Sequence, residues 1–393
     1  MSKIIIGITG SISAYKSIQL ISDLQKKGHD LEVIMTESAV KLINTNTIQA
    51  LIKKHVYVDT FDDYNPSIIT HVDLVKDADL FFICPASANT IAKCANGLAD
   101  NMLTDAYLAA TCPKMIAPAM NVHMYENVVT QRNLNTLSQD GVIIIEPCTG
   151  QLACGDTGKG KLPDESVLMD YIDYALSNHP LIDKTVLITA GPTQEAIDPV
   201  RYITNHSSGK MGYAIAKVAY NLGANVILVS GPTHLLTPIG VNKVDVISAK
   251  EMYDAVFKYE DQADYIICSA AVGDYCPSSV SDHKIKKDNE ITSLSLSKNP
   301  DILYALSKKK HCKLVGFAME TENLIENAKE KLNKKHLDMI VANSLKDEGA
   351  GFQTDTNIAT IITKDHTYKK DLMSKEDLAK EIFSLLLEDN TTC

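Results

Sequence analysis

Short, strongly apolar runs that end in glycine, proline or small polar residues recur along this chain and constrain its fold more than any other feature. In the first half the runs cover residues 3–9, 30–36, 79–87, 112–120 and 141–147. A second series covers residues 185–191, 225–232, 264–275, 312–320 and 337–344. Amphipathic stretches of helical periodicity stand between some of them, at residues 13–29, 164–177 and 209–224. Strands this apolar are typical of a parallel sheet that helices cover on both faces.

The pattern breaks once, near residue 180, where residues 178–184 (NHPLIDK) have the composition of a linker. The sequence therefore predicts two α/β domains, 1–180 and 181–393, each doubly wound around a largely parallel sheet. The polar segment 276–299 is predicted to be a flap or an irregular insertion. Because ligands bind beyond the carboxyl ends of strands in open parallel sheets, the loops that follow the strands should carry the function.

Composition argues against several classes of protein. The net charge of −11 disfavours a general nucleic-acid binder, which needs a positive surface. The chain has no apolar run of about 18 residues and begins directly with a strand, so we predict neither a membrane span nor a secretory signal. Nine cysteines without a CxxC pair favour free thiols in the cytoplasm over disulfides or structural zinc.

The first glycine turn, GITGSISAYK at residues 7–16, joins a predicted strand to a helix start. The helix-start amides and the hydroxyls of Ser11 and Ser13 suit a phosphate, although ordinary strand–helix geometry explains the turn equally well. Gly7 and Gly10 are three residues apart, which does not fit the GxGxxG fingerprint of dinucleotide-binding folds.

Polar side chains also follow the next strands of the first half. Ser87, Asn89 and Thr90 suit a planar polar ligand or a phosphate, and a capped helix explains them as well. Asn121 stands at the same rim after another strand. His71 precedes the strand at 79–87, and a lone histidine is more often structural or solvated than functional.

In the second half, residues 189–212 form a long connection with many amide, hydroxyl and glycine positions that suit phosphates. It is not a Walker loop, and the simpler explanation is a surface loop before a capped helix. Asp274 can hold a metal or a ribose. Lys284, in KIKK, can neutralise a triphosphate or belong to a solvated charge cluster. Lys331 and Lys335 are four residues apart and share one helix face.

Five motifs occur in one order and carry a resemblance: GSISAYK, His71, ASANT, APAMN and LACGDTGKG. Over about residues 1–175 the chain resembles the homo-oligomeric flavin-containing cysteine decarboxylases. Residues 185–363 resemble phosphopantothenate–cysteine ligases, through TAGPT, IDPVR, NHSSGKMG, KIKK, KNPDI and VGFA. Together they resemble the bifunctional family of coenzyme A biosynthesis proteins. The resemblance implies two Rossmann-like domains, the first a flavodoxin-like flavoprotein, and two enzyme activities.

For the first domain the resemblance implies FMN-dependent conversion of 4′-phosphopantothenoylcysteine to 4′-phosphopantetheine. The cysteine thiol is oxidised to a thioaldehyde, CO₂ is lost, and the enethiolate is protonated and reduced. Cys154 matches the proton donor, His71 the residue needed for oxidative decarboxylation, and Asn121 the residue that binds the substrate carboxylate. Lys161 stands where arginine is common in the family. The residues that match the FMN site are Gly10, Ser11, Ser13, Ser38, Ser87, Asn89 and Thr90.

For the second domain the resemblance implies activation of 4′-phosphopantothenate by CTP with Mg²⁺ (or Mn²⁺), followed by attack of the cysteine amine on an acyl-cytidylate. Asn205 matches the residue that stabilises the acyl-cytidylate, Lys284 the flap lysine, and Arg201 a substrate contact from the dimer partner. Asp274 is also the metal candidate. The nucleotide-site matches are Ser269, Ala270, Asp274, Lys284, Pro300, Asp301, Ile302, Leu303, Phe317, Lys331 and Lys335. Gly273 and Met319 depart from the family pattern.

The resemblance further implies a homo-oligomer in which flavin trimers and ligase dimers build a dodecamer. Two other functions compete with it. A nicotinamide or flavin oxidoreductase should carry GxGxxG and an acidic residue about 20 positions later, and neither is found. A non-enzymatic binding or regulatory subunit should have lost His71, Asn121, Cys154, Asn205 or Lys284, and all five are present.

Overall fold

The computed structural model describes residues 1–61, 69–151, 155–286, 293–309, 311–320, 323–344 and 354–388. They belong to two compact units, Met1–Leu176 and Ser177–Cys393. Within these ranges no helix has both the length and the apolar character needed to cross a bilayer.

The first unit is built on a six-stranded parallel sheet of order β3-β2-β1-β4-β5-β6. Its strands are β1 Lys3–Ile8, β2 Asp30–Met35, β3 Val56–Tyr57, β4 Leu80–Ala86, β5 Lys114–Pro118 and β6 Ile143–Ile144. A separate antiparallel pair consists of β7 Cys148–Gln151 and β8 Thr157–Lys161. The order reverses between β1 and β4, which is where doubly wound folds bind ligands.

Nine helices connect the described strands of this unit. They are α1 Lys16–Lys26, α2 Glu37–Val40, α3 Thr45–Ile52, α4 Thr70–Asp73, α5 Ala88–Ala95, α6 Met102–Ala109, α7 Val122–Glu126, α8 Val128–Gln139 and α9 Glu165–Ala175. A 3₁₀ turn, Ile12–Tyr15, precedes α1. Ile4, Ile6 and Ile8 pack into one core with α1 and α9, while Ile5 packs into a second core on the opposite face. Both faces of the sheet are therefore covered.

The second unit has an eight-stranded sheet of order β13-β12-β9-β14-β17-β18-β19-β20. Its strands are β9 Thr185–Ala190, β12 Asn225–Ser230, β13 Asn242–Asp245, β14 Tyr265–Cys268, β17 Lys313–Glu320, β18 Met339–Ser344, β19 Thr356–Thr363 and β20 Thr367–Ser374. Strands β19 and β20 run antiparallel to their neighbours, and all other pairs are parallel. The predicted α/β class with largely parallel sheets is confirmed.

Two small antiparallel pairs, five α-helices and a 3₁₀ turn, Glu260–Gln262, complete the described part of the second unit. The pairs are β10 Gln194–Ala196 with β11 Tyr202–Thr204, and β15 Tyr275–Pro277 with β16 Leu296–Lys298. The helices are α10 Lys210–Asn221, α11 Ala249–Tyr259, α12 Ile302–Lys309, α13 Leu324–Lys334 and α14 Lys375–Glu388. The predicted long loop after β9 thus contains a hairpin, β10–β11, and the predicted flap is closed at its base by β15 and β16.

The interpretation of residues 178–184 as a linker is wrong. Leu181 is fully buried in the core of the second unit, beside Val186 and Ala219. Its backbone N–H donates to the carbonyl of Leu222 at 2.8 Å. The segment reads as a linker because it carries only two large apolar residues, Leu181 and Ile182, and only Leu181 faces the core.

We expect Leu181→Ala to lower the free energy of unfolding of the second unit by about 2–5 kcal/mol, because it removes a fully buried side chain from a packed core. Ile182→Ala is the matched control, since Ile182 is 64% exposed and its truncation should change that free energy by about 0.5 kcal/mol or less. Calorimetric and circular-dichroism unfolding measure both. Equal effects of the two substitutions would contradict the packing described here.

Candidate active sites

The first unit has a cleft of about 350 Å³ where the carboxyl ends of β1, β4 and β5 meet. Among the predicted site residues, those that line it are Gly10, Ser11, Ser13, Ser87 and Asn121. The rest of the wall includes Lys161, the departure from the family pattern noted above. The cleft therefore lies at the reversal of strand order, as the fold class predicts.

Hydroxyl groups tie the three cleft loops to one another. The Ser11 hydroxyl donates to the carbonyl of Ala119 at 2.9 Å. The Thr9 hydroxyl donates to the carbonyl of Pro85 at 2.7 Å and accepts from the Ser87 N–H at 2.8 Å. These buried bonds fix the loops after β1, β4 and β5 relative to one another.

Gly10 needs to be glycine because of its neighbour in α2. A Cβ atom at Gly10 would lie 2.5 Å from the Cβ of Ser38. Ser38 therefore stands next to the glycine turn, although it does not line the described cleft.

Ser87 caps α5, which is the alternative that the sequence left open. Its hydroxyl accepts from the Thr90 N–H at 3.4 Å and lies 3.3 Å from the Thr90 hydroxyl. Thr90 is buried and Asn89 is exposed, and neither lines the described cleft. Ser87 alone of the three lines the cleft, so one residue both caps α5 and forms part of the cleft wall.

Asn121 is held between α7 and the strand pair β7–β8. Its Oδ1 accepts from the His123 N–H at 2.9 Å, and its Nδ2 donates to Asp156 at 2.9 Å. The Met120 N–H donates to the carbonyl of Gly160 at 3.1 Å. A Cβ atom at Gly160 would lie 2.3 Å from the Met120 carbonyl, so only glycine allows this approach.

The other two predicted catalytic residues of this unit are not placed in the cleft. Cys154 lies outside the described residues; the strands β7 and β8, which flank it in sequence, are paired with each other. His71 is half-buried in the short helix α4, and it is not among the residues that line the cleft of its own unit.

In the second unit, two cavities of about 430 and 270 Å³ adjoin at the carboxyl ends of β9, β14 and β17. They share Ala270, Val272, Asp274, Phe317 and Lys331 as walls and form one cleft. Every predicted nucleotide residue except Lys284 lines it, namely Ser269, Ala270, Asp274, Pro300, Asp301, Ile302, Leu303, Phe317, Lys331 and Lys335.

The smaller cavity contains an ion pair between two of the predicted residues. The Lys335 Nζ lies 2.8 Å from the Asp301 Oδ2 and 2.9 Å from its Oδ1. Burial disfavours the ionised form of Asp301, but hydrogen bonds from Lys335 and from the Tyr304 N–H outweigh it and lower the pKa of the carboxyl. A fixed acceptor therefore stands beside a cation at this end of the cleft.

The larger cavity is built around the start of α10. Ser207, Ser208, Gly209 and Lys210 line it, together with Asn205, whose Nδ2 donates to the Ala271 carbonyl at 3.0 Å. Gly209 has a φ of 79° and provides no side-chain cap for the helix. The start of α10 lines the cavity without a side-chain cap from Gly209, and helix-start amides favour an anion.

Sequence reasoning missed Asn357 and Lys375, which also line the larger cavity. Lys375 is buried, and its ammonium donates to the carbonyl of Thr354. Burial, together with the nearby charge of Lys210, lowers its pKa. The Oδ1 of Asn357 has no hydrogen-bond partner among the described residues. The sequence around Lys375 and Asn357 gives no sign of a binding site. Only the tertiary fold brings α14, which begins with Lys375, and β19, which contains Asn357, to the cleft.

Two predicted residues stand elsewhere. Lys284 is exposed and is not among the residues that line the cleft. The Arg201 guanidinium bonds to Asp198 and to the carbonyl of Ile285, so its assignment as a substrate contact stays a prediction. Asp274 is exposed at the junction of the two cavities, and the metal it would bind is likewise still a prediction.

Comparisons of the sequence with protein families and with known proteins agree over nearly the whole chain. Residues 1–177 match the flavoprotein family, and residues 181–389 match the C-terminal domain family of DNA/pantothenate metabolism flavoproteins. The coenzyme A biosynthesis bifunctional protein CoaBC of Bacillus subtilis is 48% identical over 385 residues, 96% of this chain and 95% of the relative. That of Escherichia coli is 40% identical over 397 residues, 99% of this chain and 97% of the relative.

A solved structure of the C-terminal domain of a coenzyme A biosynthesis bifunctional protein CoaBC is 45% identical, with a TM-score of 0.47. It is matched over 100% of its own length and 54% of this chain. Since the sequence matches extend over nearly the full length of both partners, the chain belongs to the family of coenzyme A biosynthesis bifunctional proteins.

Proposed function

We propose that the chain makes 4′-phosphopantothenoylcysteine from 4′-phosphopantothenate and cysteine in its second unit, and decarboxylates it to 4′-phosphopantetheine in its first. The observation that carries the proposal is the coincidence of predicted residues with two clefts, one in each unit. The product of the ligase reaction is the substrate of the decarboxylase, so one chain catalyses consecutive steps.

In the ligase cleft, CTP with Mg²⁺ is the proposed activating cosubstrate. The end with Pro300, Asp301 and Lys335 offers backbone groups and a fixed carboxylate for the base and ribose, and Asp274 is the proposed metal ligand. Asn205, held by the Ala271 carbonyl, is positioned to bind the acyl-cytidylate through its amide. Lys284 is the proposed source of positive charge for the phosphates.

The far end of the larger cavity suits a phosphate group. Lys210, which also pairs with Asp355 at 2.7 Å, and Lys375 contribute two cations, and the start of α10 contributes amides. This concentration of donors contrasts with a chain whose net charge is −11. It supports binding of the phosphorylated substrate or of the nucleotide phosphates at this place.

In the decarboxylase cleft, FMN is the proposed cofactor, and when bound it supplies the redox chemistry of the thiol carbon. Gly10, Ser11, Ser13 and Ser87 would hold it, because small residues and hydroxyls leave space for a planar, phosphorylated molecule. Asn121 binds the substrate carboxylate through its side-chain amide. The Cys154 thiol donates a proton to the carbon that loses CO₂.

We further propose a cytoplasmic homo-oligomer that contains flavin trimers and ligase dimers. Ile12, Tyr15 and Met124 line the first cleft and are 67%, 60% and 50% exposed, an apolar surface that suits a neighbouring subunit. His71 does not line the cleft of its own unit. In the proposed trimer, a partner's helix would bring an equivalent histidine to the cleft.

The first test identifies the reaction product by mass spectrometry. The purified protein is mixed with 4′-phosphopantothenate, cysteine, CTP and Mg²⁺, and 4′-phosphopantetheine is the expected product. Accumulation of the N-acyl cysteine alone would mean that only the ligase acts. No new mass from protein with bound flavin would contradict the proposed function.

Cys154→Ser is expected to stop turnover at an oxidised, decarboxylated intermediate, because a serine hydroxyl is far less acidic than a thiol. Mass spectrometry of the products detects this species. Cys148→Ser is the matched control, since Cys148 is exposed on β7 in the same segment. Full turnover by Cys154→Ser would contradict the proposal that Cys154 is the proton donor.

Lys284→Gln should lower ligase kcat by about 100-fold or more, the usual effect of removing one group that stabilises charge in a transition state. Decarboxylation of supplied 4′-phosphopantothenoylcysteine should be unchanged. Lys286→Gln, two positions along the same exposed segment, is the control and should have a smaller effect. Normal amide formation by Lys284→Gln would refute the role of the flap lysine.

Lys375→Met should raise KM for CTP or for 4′-phosphopantothenate about 10-fold or more, because a charged hydrogen bond to phosphate is worth about 1.5–3 kcal/mol. Steady-state kinetics with each substrate varied in turn decides which phosphate it binds. Lys380→Met, on the exposed face of the same helix, is the control. Unchanged KM values for both substrates would show that Lys375 is only structural.

A further inference from the structure

A buried carboxylate joins the β10–β11 hairpin to the segment that carries Lys284. Asp198 lies in the turn between β10 and β11, and its side chain is fully buried. Its Oδ1 accepts from the backbone N–H groups of Val200 at 2.8 Å and Arg201 at 2.9 Å. These two bonds close the turn and fix the direction of the carboxylate.

The other oxygen of the carboxylate bonds outside the turn. Asp198 Oδ2 accepts from the N–H of Ile285 at 3.1 Å and from Arg201 Nε at 2.9 Å and Nη2 at 2.5 Å. The same Nη2 donates to the carbonyl of Ile285 at 2.9 Å. Ile285 is therefore held at both its N–H and its C=O, and Lys284 is its direct neighbour.

A third bond joins the two segments. The N–H of Ser281 donates to the carbonyl of Ile197 at 3.1 Å, and the Ser281 hydroxyl donates to the carbonyl of His283 at 2.6 Å. The guanidinium of Arg201, with the backbone N–H groups, holds the pKa of Asp198 well below its usual range. The carboxylate thus stays ionised wherever the enzyme is assayed.

The opposite end of the same hairpin holds the ligase cleft. The Thr204 hydroxyl donates to the carbonyl of Thr193 at 2.8 Å, and the Gly273 N–H donates to the Thr193 hydroxyl at 2.9 Å. Asn205 follows β11 directly and bonds to the Ala271 carbonyl at 3.0 Å. One short hairpin therefore connects Asn205 at its base with Ile285 at its tip.

We infer that Asp198 is a positioning residue of the ligase, which places Lys284 relative to Asn205 by holding Ile285 against the β10–β11 turn. This inference rests on the proposed function. Asp198 is buried and lines neither cavity, so it touches no reactant and acts through its neighbour. A displacement of about 1 Å of a catalytic group is enough to cost about 100-fold in rate.

Asp198→Asn keeps the shape of the side chain and removes its charge. It should lower ligase kcat about 10- to 100-fold and leave KM for CTP, 4′-phosphopantothenate and cysteine within about twofold. Decarboxylation of supplied 4′-phosphopantothenoylcysteine by the same protein should be unchanged, because that reaction is assigned to the first unit, and the unchanged KM values control for folding of the second unit. A rise in KM with unchanged kcat would overturn the inference.

A double-mutant cycle distinguishes an effect of Asp198 on the position of Lys284 from a general loss of structure. If Asp198 acts through Lys284, the variant with both Asp198→Asn and Lys284→Gln should be no slower than Lys284→Gln alone. A further 10-fold loss in the double variant would mean independent effects and would overturn the inference. In addition, Asp198→Asn should speed tryptic cleavage after Lys284 and Lys286, because the tether to Ile285 is weakened.

If Asp198→Asn does not fold, Asp198→Glu repeats the cycle, because it keeps the carboxylate and moves it by one methylene. It should reduce kcat less than tenfold, again without a further loss on top of Lys284→Gln. Wild-type protein that makes neither the N-acyl cysteine nor 4′-phosphopantetheine would contradict the proposed function itself. Active wild type with an equally active Asp198→Asn would overturn only the role of Asp198.

Discussion

The alternation of apolar side chains along the central strands is the constraint on which both sites depend. In β1, Ile4 and Ile6 enter one core and Ile5 the other, and in β9, Val186 and Ile188 face away from Leu187. Because helices cover both faces of each sheet, the side chains that can bind ligands lie beyond the ends of the strands. In each unit the order of strands reverses beside the first strand, and each cleft lies at that reversal.

The central part of the fold could be predicted because its signals are local. The buried strands are short apolar runs, and the residues after them are polar, small or both, as at Ser11 and Ser269. The predicted nucleotide residues Ala270, Asp274 and Phe317 follow or occupy such strands, and the structure brings them to one cleft.

What could not be predicted depends on contacts distant in sequence. In the sequence, Leu181 resembles a linker residue. In the structure, its side chain lies in the core of the second unit and its N–H bonds to Leu222. In the sequence, Lys375 resembles a solvated lysine at a helix start. In the structure, the packing of β19 and α14 places it in the wall of the cleft. A single half-buried histidine such as His71 has no local feature that decides its role, and its cleft would belong to a neighbouring subunit in the proposed trimer.

The β10–β11 hairpin has a consequence for how this sequence can change in length. Its strands and turn run from Gln194 to Thr204 and connect two groups of the proposed ligase site. An inserted residue in this turn would move the carboxylate of Asp198 relative to Asn205, even if every side chain were kept. By contrast, the connection between β12 and β13 touches neither cavity, and its residues 234, 236 and 237 are exposed, so it can accept insertions there. Length variation among relatives should therefore be concentrated in that connection and rare in the hairpin.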